Sequence, residues 1–447
     1  MRTETELLVV GGGPAGYTAA IRGAERGLDT VLVEKDCLGG TCLNRGCIPS
    51  KALLHAADVA ADARNGAAIG VEAIPEVDLE QVGVWSDGIV ERLTKGVAQR
   101  CADAGVDVRS GTAAFAGPQR VTVRGEDAGD IGFEGAVVAT GSRPATLEGF
   151  DFDSNYIHDA AGLLSRSSLP ERLAVVGGGY IGTELAFGFA KLGADVTLIE
   201  AEDRLLPRFP DDLVGPVERE AWRVGVDVRT GTPATGWHET DDGIAVHAGD
   251  EDIPTDAVLV AVGREPVTEG LTPGAAGIEV DPEGYLETDG FRTTNESVLA
   301  IGDVRGPPLL AHAAAEEGRL AADTLAGDAE RTPGSIPETV FTDPEIAVVG
   351  RSPDEVSEPT VGRASVRENG RAHTRNDAAG FVRVVVDNGT VVGAQLVAPE
   401  ASELVGELAV AIEGELDAAA LARAVRPHPT LSETVRAAAR DALGGGE

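Results

Sequence analysis

Residues 6–34 read ELLVVGGGPAGYTAAIRGAERGLDTVLVE. The spacing predicts a short apolar strand over Glu6–Val10 and a turn carrying Gly11, Gly13 and Gly16 in GxGxxG order. A helical pattern, YTAAIRGAERG, follows, and a second strand, TVLVE, closes on Glu34. Strand, glycine turn, helix, strand and terminal acid make a dinucleotide-binding βαβ unit. Its glycines let the backbone approach a pyrophosphate at the helix N-terminus, and its acid takes a ribose hydroxyl. The same unit recurs at 172–200, RLAVVGGGYIGTELAFGFAKLGADVTLIE. Gly177, Gly179, Gly182 and Glu200 each stand 166 residues after Gly11, Gly13, Gly16 and Glu34. A shared offset means two complete nucleotide-binding domains in one chain.

Just beyond the first unit, Gly39–Lys51 reads GGTCLNRGCIPSK, with Cys42 and Cys47 five residues apart. In an ideal helix that separation is a rise of about 7.5 Å, with the residues on different faces. A disulfide wants its Cα atoms roughly 4.4–6.8 Å apart, so the pair bridges only across a loop or a distorted first helical turn. The helical pattern SKALLHAADVAADAR that follows would aim its N-terminal dipole at the sulfurs and favour thiolate. Zinc would need two more ligands, and Cys37 and Cys101 form no second close pair, so no metal is expected. The segment reads as a working disulfide, and two nucleotides beside it suggest electrons passing from one cofactor to another.

The chain has 447 residues, enough for two to four domains. No apolar run approaches the ~20 residues of a membrane span. MRTETELLVV carries no signal-peptide pattern, and four cysteines in so long a chain fit a reducing cytoplasm. The formal net charge is −37, and the only lysines are Lys35, Lys51, Lys95 and Lys191. Such an acidic, lysine-poor surface suits molar salt, where the Debye length is about 3 Å and self-repulsion is screened. Nucleic-acid binding, which needs basic patches, is not expected.

Further along, Asp78–Ala104 carries a helical apolar pattern (Val82, Val84, Ile89, Leu93, Val97). GAVVATGSRP and DAVLVAVGREP each place a glycine and an arginine after a strand, at Gly141–Arg143 and at Gly263–Arg264, which reads as a crossing point between domains. TTNESVLAIGD ends on Asp303, a carboxylate beyond a strand end where a doubly wound sheet holds a ligand hydroxyl. RTPGSIP marks a boundary near 331–337, after which strands and helices continue without a glycine fingerprint. RPHPTLSE then fixes His428 between prolines with Glu433 five residues on, as an oriented general base needs.

Taken together, GGGPAG, GGTCLNRGCIPSK, VVATGSRP, VVGGGYIGTE, VAVGREP, LAIGD, LLAHAA and HPTLSE resemble the flavin-dependent disulfide reductases over essentially the whole chain. The resemblance implies an α/β fold with two doubly wound, Rossmann-like dinucleotide-binding domains. The NAD domain (147–266) is inserted in the FAD domain (1–146 and 267–331), and a C-terminal α+β dimerisation domain covers 332–447. It implies FAD held by Gly11, Gly13, Gly16, Glu34, Gly40, Thr41, Lys51, Gly141 and Asp303, with Leu310, Ala311 and His312 near the flavin. NAD would lie on Gly177, Gly179, Gly182, Glu200 and Gly263. By the same analogy Cys47 is the thiolate beside the flavin, and Cys42 is the more exposed sulfur that exchanges with substrate. Lys51 pairs with Glu184, and His428, oriented by Glu433, comes from the partner subunit of a homodimer.

The match within the family is nearest to members that oxidise dihydrolipoamide, free or on a lipoyl domain. The alternative is an NAD(P)H-dependent reductase of a low-molecular-weight disulfide of the glutathione or γ-glutamylcysteine type. Glu200 would repel a 2′-phosphate and so favours NAD over NADP, with Arg204 the one nearby cation. Two departures stand out. Arg426 occupies a position where the family often has histidine, and Arg45, between the cysteines, either supports Cys47 as thiolate or faces solvent.

Overall fold

Four apolar runs, LLVV, VLV, AVV and VLA, become neighbouring parallel strands because residues apolar on both faces suit a sheet covered on both sides. The computed structural model describes residues 3–444; residues 1, 2 and 445–447 lie outside the described residues. The chain divides into two compact units. The first comprises the chain up to Thr146, Asp159–Ser168 and Gly263–Pro333, and the second comprises Leu147–His158, Leu169–Val262 and the chain from Gly334 onward.

The first unit begins with β1 (Glu4–Val10), α1 (Pro14–Glu25) and β2 (Thr30–Glu34), then α2 (Gly40–Arg45), α3 (Cys47–Asn65) and α4 (Leu79–Ala104). β3 (Asp107–Ser110), β4 (Thr112–Gly117), β5 (Arg120–Arg124) and β6 (Gly129–Val138) complete a sheet of order β3-β2-β1-β6-β5-β4. β6 serves two neighbours. Its first half pairs antiparallel with β5, and its second half takes the later strand Val298–Ala300 in parallel. Strand periodicity divides the core between the two faces. Leu7 and Val9 pack with Ala19, Ala20 and Leu320 of the flanking helices, whereas Leu8 and Val10 pack with Phe115, Val121 and Ile131. The helix Ala311–Leu325 crosses α1 with backbones in contact, since a Cβ on Gly318 would lie 2.3 Å from the Ala15 carbonyl oxygen. Buried Asp323 locks the pair, accepting from Arg22 Nε and Arg26 Nη1 at 2.7 Å each.

Asp78 caps α4 by accepting from the Gln81 N–H at 3.0 Å. The helix forms where its pattern places it, but it buries Leu79, Ser86, Val97 and Cys101 and leaves Val84, Trp85 and Leu93 exposed. The segment Asp159–Ser168 belongs to this unit rather than to the run 147–266 around it, because its helix Ala160–Leu164 packs on α2 and α3.

In the second unit the strands Val226–Arg229, Asp195–Ile199, Arg172–Val176, Ala257–Val260 and Ile157–His158 form a parallel sheet in that order. The helix Tyr180–Leu192 is buried from Gly182 to its end. A three-stranded antiparallel meander, Ala234–Thr240, Gly243–Ala248 and Glu251–Thr255, follows. The C-terminal part is an antiparallel sheet of order 338–340, 345–350, 390–398, 381–387, 360–365. The helices Ala401–Glu413 and Glu433–Asp441 cover it. Two doubly wound sheets and a C-terminal α+β layer are the architecture that the sequence pattern implies.

Candidate active site

The two glycine turns are near copies of each other. Gly11 has φ +102°, and a Cβ there would stand 2.3 Å from the Ala139 carbonyl oxygen; Gly177 has φ +110° and the corresponding distance to Ala261 is 2.5 Å. A Cβ on Gly16 would lie 1.8 Å from the Gly11 oxygen, and one on Gly182 would lie 1.9 Å from the Gly177 oxygen. Glu34 Oε2 accepts from the Gly12 N–H at 2.5 Å and Oε1 from the Asp36 N–H at 2.8 Å. Glu200 repeats this with the N–H groups of Gly178 (2.5 Å) and Glu202 (2.8 Å). Burial pushes the Glu34 carboxyl up, against the pull of the Gly12 N–H. Gly13 and Gly179 are the N-caps of the two helices, and neither offers a side-chain acceptor to the first-turn N–H groups. Uncapped donors at a helix N-terminus, approached over glycine alone, fit a pyrophosphate. A cleft of about 350 Å³ opens beside Glu34, lined among others by Leu38, Val108, Arg109 and Asp127.

Gly141 (φ +73°) and Gly263 flank a short antiparallel pairing, Ser142–Pro144 with Arg264–Pro266. The two glycine–arginine segments therefore meet each other. Ser142 donates its hydroxyl to Asp303 Oδ2, and Arg264 donates to Ser142 through Nε (2.7 Å to Oγ) and Nη2 (2.8 Å to the carbonyl). Sequence reasoning found Asp303 and missed the Ser142–Arg264 pair that aims it, which is visible only once the strands pair. Glu317 was missed too. Buried on the helix that begins with Ala311 and His312, it accepts from the Gly302 N–H at 2.7 Å and from Arg305 at 2.8 Å. It thereby ties the Asp303 turn to that helix, whose N-cap, Leu310, makes no side-chain cap bond.

The cysteine segment is two helices broken at Gly46, α2 carrying Cys42 and α3 starting on Cys47. The break brings together residues that a straight helix would separate, and both are thiols here. Cys42 is hydrogen-bonded to Cys47, and that bond, then burial, then the neighbouring sulfur's charge push the Cys42 thiol far up. Cys47 has the first-residue position that the helix dipole favours for thiolate. Cys42 is half-buried inside α2, and Cys47, at a helix end, is exposed. The whole segment hangs on the first glycine turn. Gly39 donates its N–H to the Gly12 carbonyl at 2.8 Å, and a Cβ on Gly40 would stand 2.6 Å from Gly13 Cα. Thr41 is exposed at the start of α2.

Asn44, not singled out in the sequence, fastens α2 by donating to the carbonyls of Leu38 (3.0 Å) and Gly40 (2.9 Å) while accepting from Thr94 (3.1 Å). Arg45 is ion-paired with Asp36. Cys101 is core, its thiol pushed up by burial. Lys51 lies half-buried on α3 in the first unit. Glu184 lies in the second unit, buried, with Oε1 accepting from the Phe341 N–H at 2.9 Å.

His428 is exposed, on the loop before the terminal helix. Its Nδ1 lies 3.1 Å and 3.3 Å from the two Glu433 oxygens. Arg426 has a structural task. It donates to Glu407 at 2.9 Å and to the carbonyls of Leu421 and Ala424 at 2.8 Å and 2.6 Å, anchoring the loop. Among the described residues no helix is long and apolar enough to cross a membrane.

Residues 5–318 match the family described as pyridine nucleotide-disulphide oxidoreductase, and 336–439 match the dimerisation domain of the same family. Dihydrolipoyl dehydrogenase 2 of Haloarcula marismortui is 50% identical over 459 aligned residues, covering 99% of this chain and 97% of that protein. Dihydrolipoyl dehydrogenase of Halobacterium salinarum is 47% identical with the same coverage. The crystal structure of LpdA from Mycobacterium tuberculosis superposes with a TM-score of 0.92 at 28% identity, over 97% of this chain and 99% of that one.

Proposed function

The chain belongs to the pyridine nucleotide-disulphide oxidoreductases, and from that premise we propose that it is an FAD-dependent enzyme oxidising dihydrolipoamide to lipoamide with reduction of NAD. One observation carries the reading: a hydrogen-bonded Cys42–Cys47 pair at the head of α3, hung by Gly39 and Gly40 on the first nucleotide cradle. Curated dihydrolipoyl dehydrogenases related over nearly their full length support the choice of substrate.

In this reading segments 1–146 and 267–331 hold FAD, 147–266 holds NAD and 332–447 joins two copies. Gly11, Gly13, Gly16, Glu34, Gly40, Thr41, Lys51, Gly141 and Asp303 hold FAD, Glu184 is the counter-ion assigned to Lys51, and Gly177, Gly179, Gly182, Glu200 and Gly263 hold NAD. Bound FAD supplies a two-electron relay between the protein dithiol and the nicotinamide. The protein's own groups do the sulfur chemistry. One substrate thiolate attacks Cys42 Sγ of the oxidised pair, forming a mixed disulfide and expelling Cys47 as thiolate. The second substrate sulfur then attacks the first, closing lipoamide and releasing Cys42. His428 of the partner subunit takes the thiol proton, with Glu433 holding its ring. The net change is dihydrolipoamide plus NAD⁺ to lipoamide, NADH and a proton. The match of residues 336–439 to the family's dimerisation domain supports a homodimer.

The test is an assay of the FAD-loaded protein in molar KCl, crossing NAD and NADP with dihydrolipoamide and with oxidised glutathione or bis-γ-glutamylcystine. NAD-linked oxidation of dihydrolipoamide is expected to be fastest. Faster NADPH-driven reduction of either small disulfide would overturn the choice of substrate.

A further inference from the structure

Three side chains that the redox reading leaves unused meet on one face of the antiparallel meander in the second unit. His238 pairs with Ala245 in register, while His247, on the central strand, stands between Gly236 and Asp252. His238 and His247 are thus diagonal neighbours on one face, and Asp252 lies directly across from His247. The outcome is close contact. His238 Nδ1 is 3.2 Å from His247 Nε2, the ring centroids are 4.8 Å apart, and Asp252 Oδ1 is hydrogen-bonded to His247 Nδ1. Candidate ligand atoms of all three residues lie within 4.8 Å of one another.

The proton assignment follows from the acid. A carboxylate can only accept, so His247 Nδ1 carries the hydrogen and His247 Nε2 presents a lone pair toward His238 Nδ1. Two imidazole nitrogens each ~2.05 Å from one ion, subtending about 100°, stand about 3.1 Å apart. A carboxylate that orients the far nitrogen of a ligating histidine completes the usual outer-shell arrangement of such a site. On the same strands and turns, Glu239, Asp241, Asp242, Asp250 and Glu251 add negative charge, of which Glu251 is ion-paired with Arg229 at 3.5 Å.

We propose that His238 and His247, oriented by Asp252, form a surface site for a divalent transition-metal ion, with Cu²⁺ bound ahead of Zn²⁺ and Ni²⁺. Two imidazoles with solvent in the remaining positions suit these borderline ions, and copper heads their affinity order. The site lies outside the cysteine chemistry and spans neighbouring strands, so an ion there clips the meander together.

The experiment titrates Cu²⁺ into the full-length, FAD-loaded chain at pH 7.5, with Cys37, Cys42 and Cys47 replaced by serine to remove competing thiols. One ion per chain is expected, with nitrogen hyperfine structure from two imidazoles in the electron paramagnetic resonance spectrum and a rise in melting temperature. His238→Gln or His247→Gln should weaken binding at least 100-fold, and Asp252→Asn by about 10–100-fold, all with unchanged flavin content. Binding should also fall as pH drops and the rings take up protons. No stoichiometric uptake, or uptake indifferent to both histidine variants, would overturn the site and leave the pair as an N–H···N hydrogen bond.

Discussion

Glu433 holds His428 by one nitrogen only: Nδ1 sits 3.1 Å from Oε1, and Oε2 is shared with the Thr430 N–H at 3.0 Å. The second ring nitrogen, Nε2, is left on an exposed imidazole, the position that the proposed role of base to the partner subunit calls for. The Thr430 N–H first, and His428 second, hold the Glu433 carboxyl below its ordinary range, so it stays an anion at working pH. The grip is present above about pH 4.5 and is lost as pH falls through the lowered value. His428→Gln should cut kcat by about 10²–10⁴-fold with flavin content unchanged. Glu433→Gln should cut kcat less, leaving KM for dihydrolipoamide near its starting value, because the base remains but its ring is unheld. Steady-state kinetics on both variants check this.

Cys42→Ser separates cofactor binding from sulfur exchange. Of the residues proposed to hold FAD, Gly11, Gly13, Gly16 and Glu34 form the glycine turn and its acid, where the Gly12 N–H donates to Glu34 and not to Cys42. The variant should stay yellow, while dihydrolipoamide-dependent NAD reduction falls to below about 1% of the parent, since no disulfide can form. Unchanged turnover would show that electrons travel another way.

How much of this was legible in the sequence depended on range. The two βαβ units were plain because their constraints are local: a carbonyl 1.8 Å from where a Gly16 Cβ would stand admits glycine alone. Asp78 capping α4 is equally local. The helical period of α4 was legible, yet nothing in it shows that Trp85 and Leu93 face outward. Ser142 and Arg264 come together through strand pairing across 122 residues. The histidine–histidine–aspartate cluster arises from cross-strand register, which a scan for cysteine spacing does not see. That α3 starts on the second cysteine itself is likewise set by the break at Gly46.

If Glu200 holds the nicotinamide nucleotide as proposed, specificity is expected to rest on two residues rather than one. Glu200 opposes a 2′-phosphate, and Arg204, the nearby cation, is already ion-paired with Asp211 and donates to the Pro207 carbonyl at 2.7 Å. Glu200→Ser alone should therefore change little for NADP. Adding Asp211→Asn frees the guanidinium and should raise the NADP-to-NAD ratio of kcat/KM at least tenfold, about 1.4 kcal/mol. Parallel assays with the two nucleotides decide it.

A net charge of −37 makes the folded state repel itself wherever salt is dilute. The melting temperature should climb steeply between 0.1 M and 2 M KCl as the Debye length shrinks from about 10 Å toward 2–3 Å. A flat salt curve by scanning calorimetry would mean that local pairs, such as Arg22 and Arg26 around Asp323, already neutralise the field.

Asp377 should oppose stability at neutral pH. Burial first, and then the charge of Asp343, push its carboxyl from 3.8 up to about 6, while Asp343 itself is engaged by Lys191 Nζ at 2.9 Å. A carboxyl raised on folding binds its proton more tightly in the native state. It therefore favours the fold fully below pH 3.8, and that contribution is lost as pH rises through about 6. Such a rise corresponds to about 2–3 kcal/mol, less in molar salt, where the Asp343 contribution is partly screened and the burial contribution persists. Asp377→Asn, which carries no charge at any pH, should raise the melting temperature at pH 7.5 and leave it nearly unchanged near pH 4. Equal increments at both values would mean that the carboxyl titrates alike in the folded and unfolded chain.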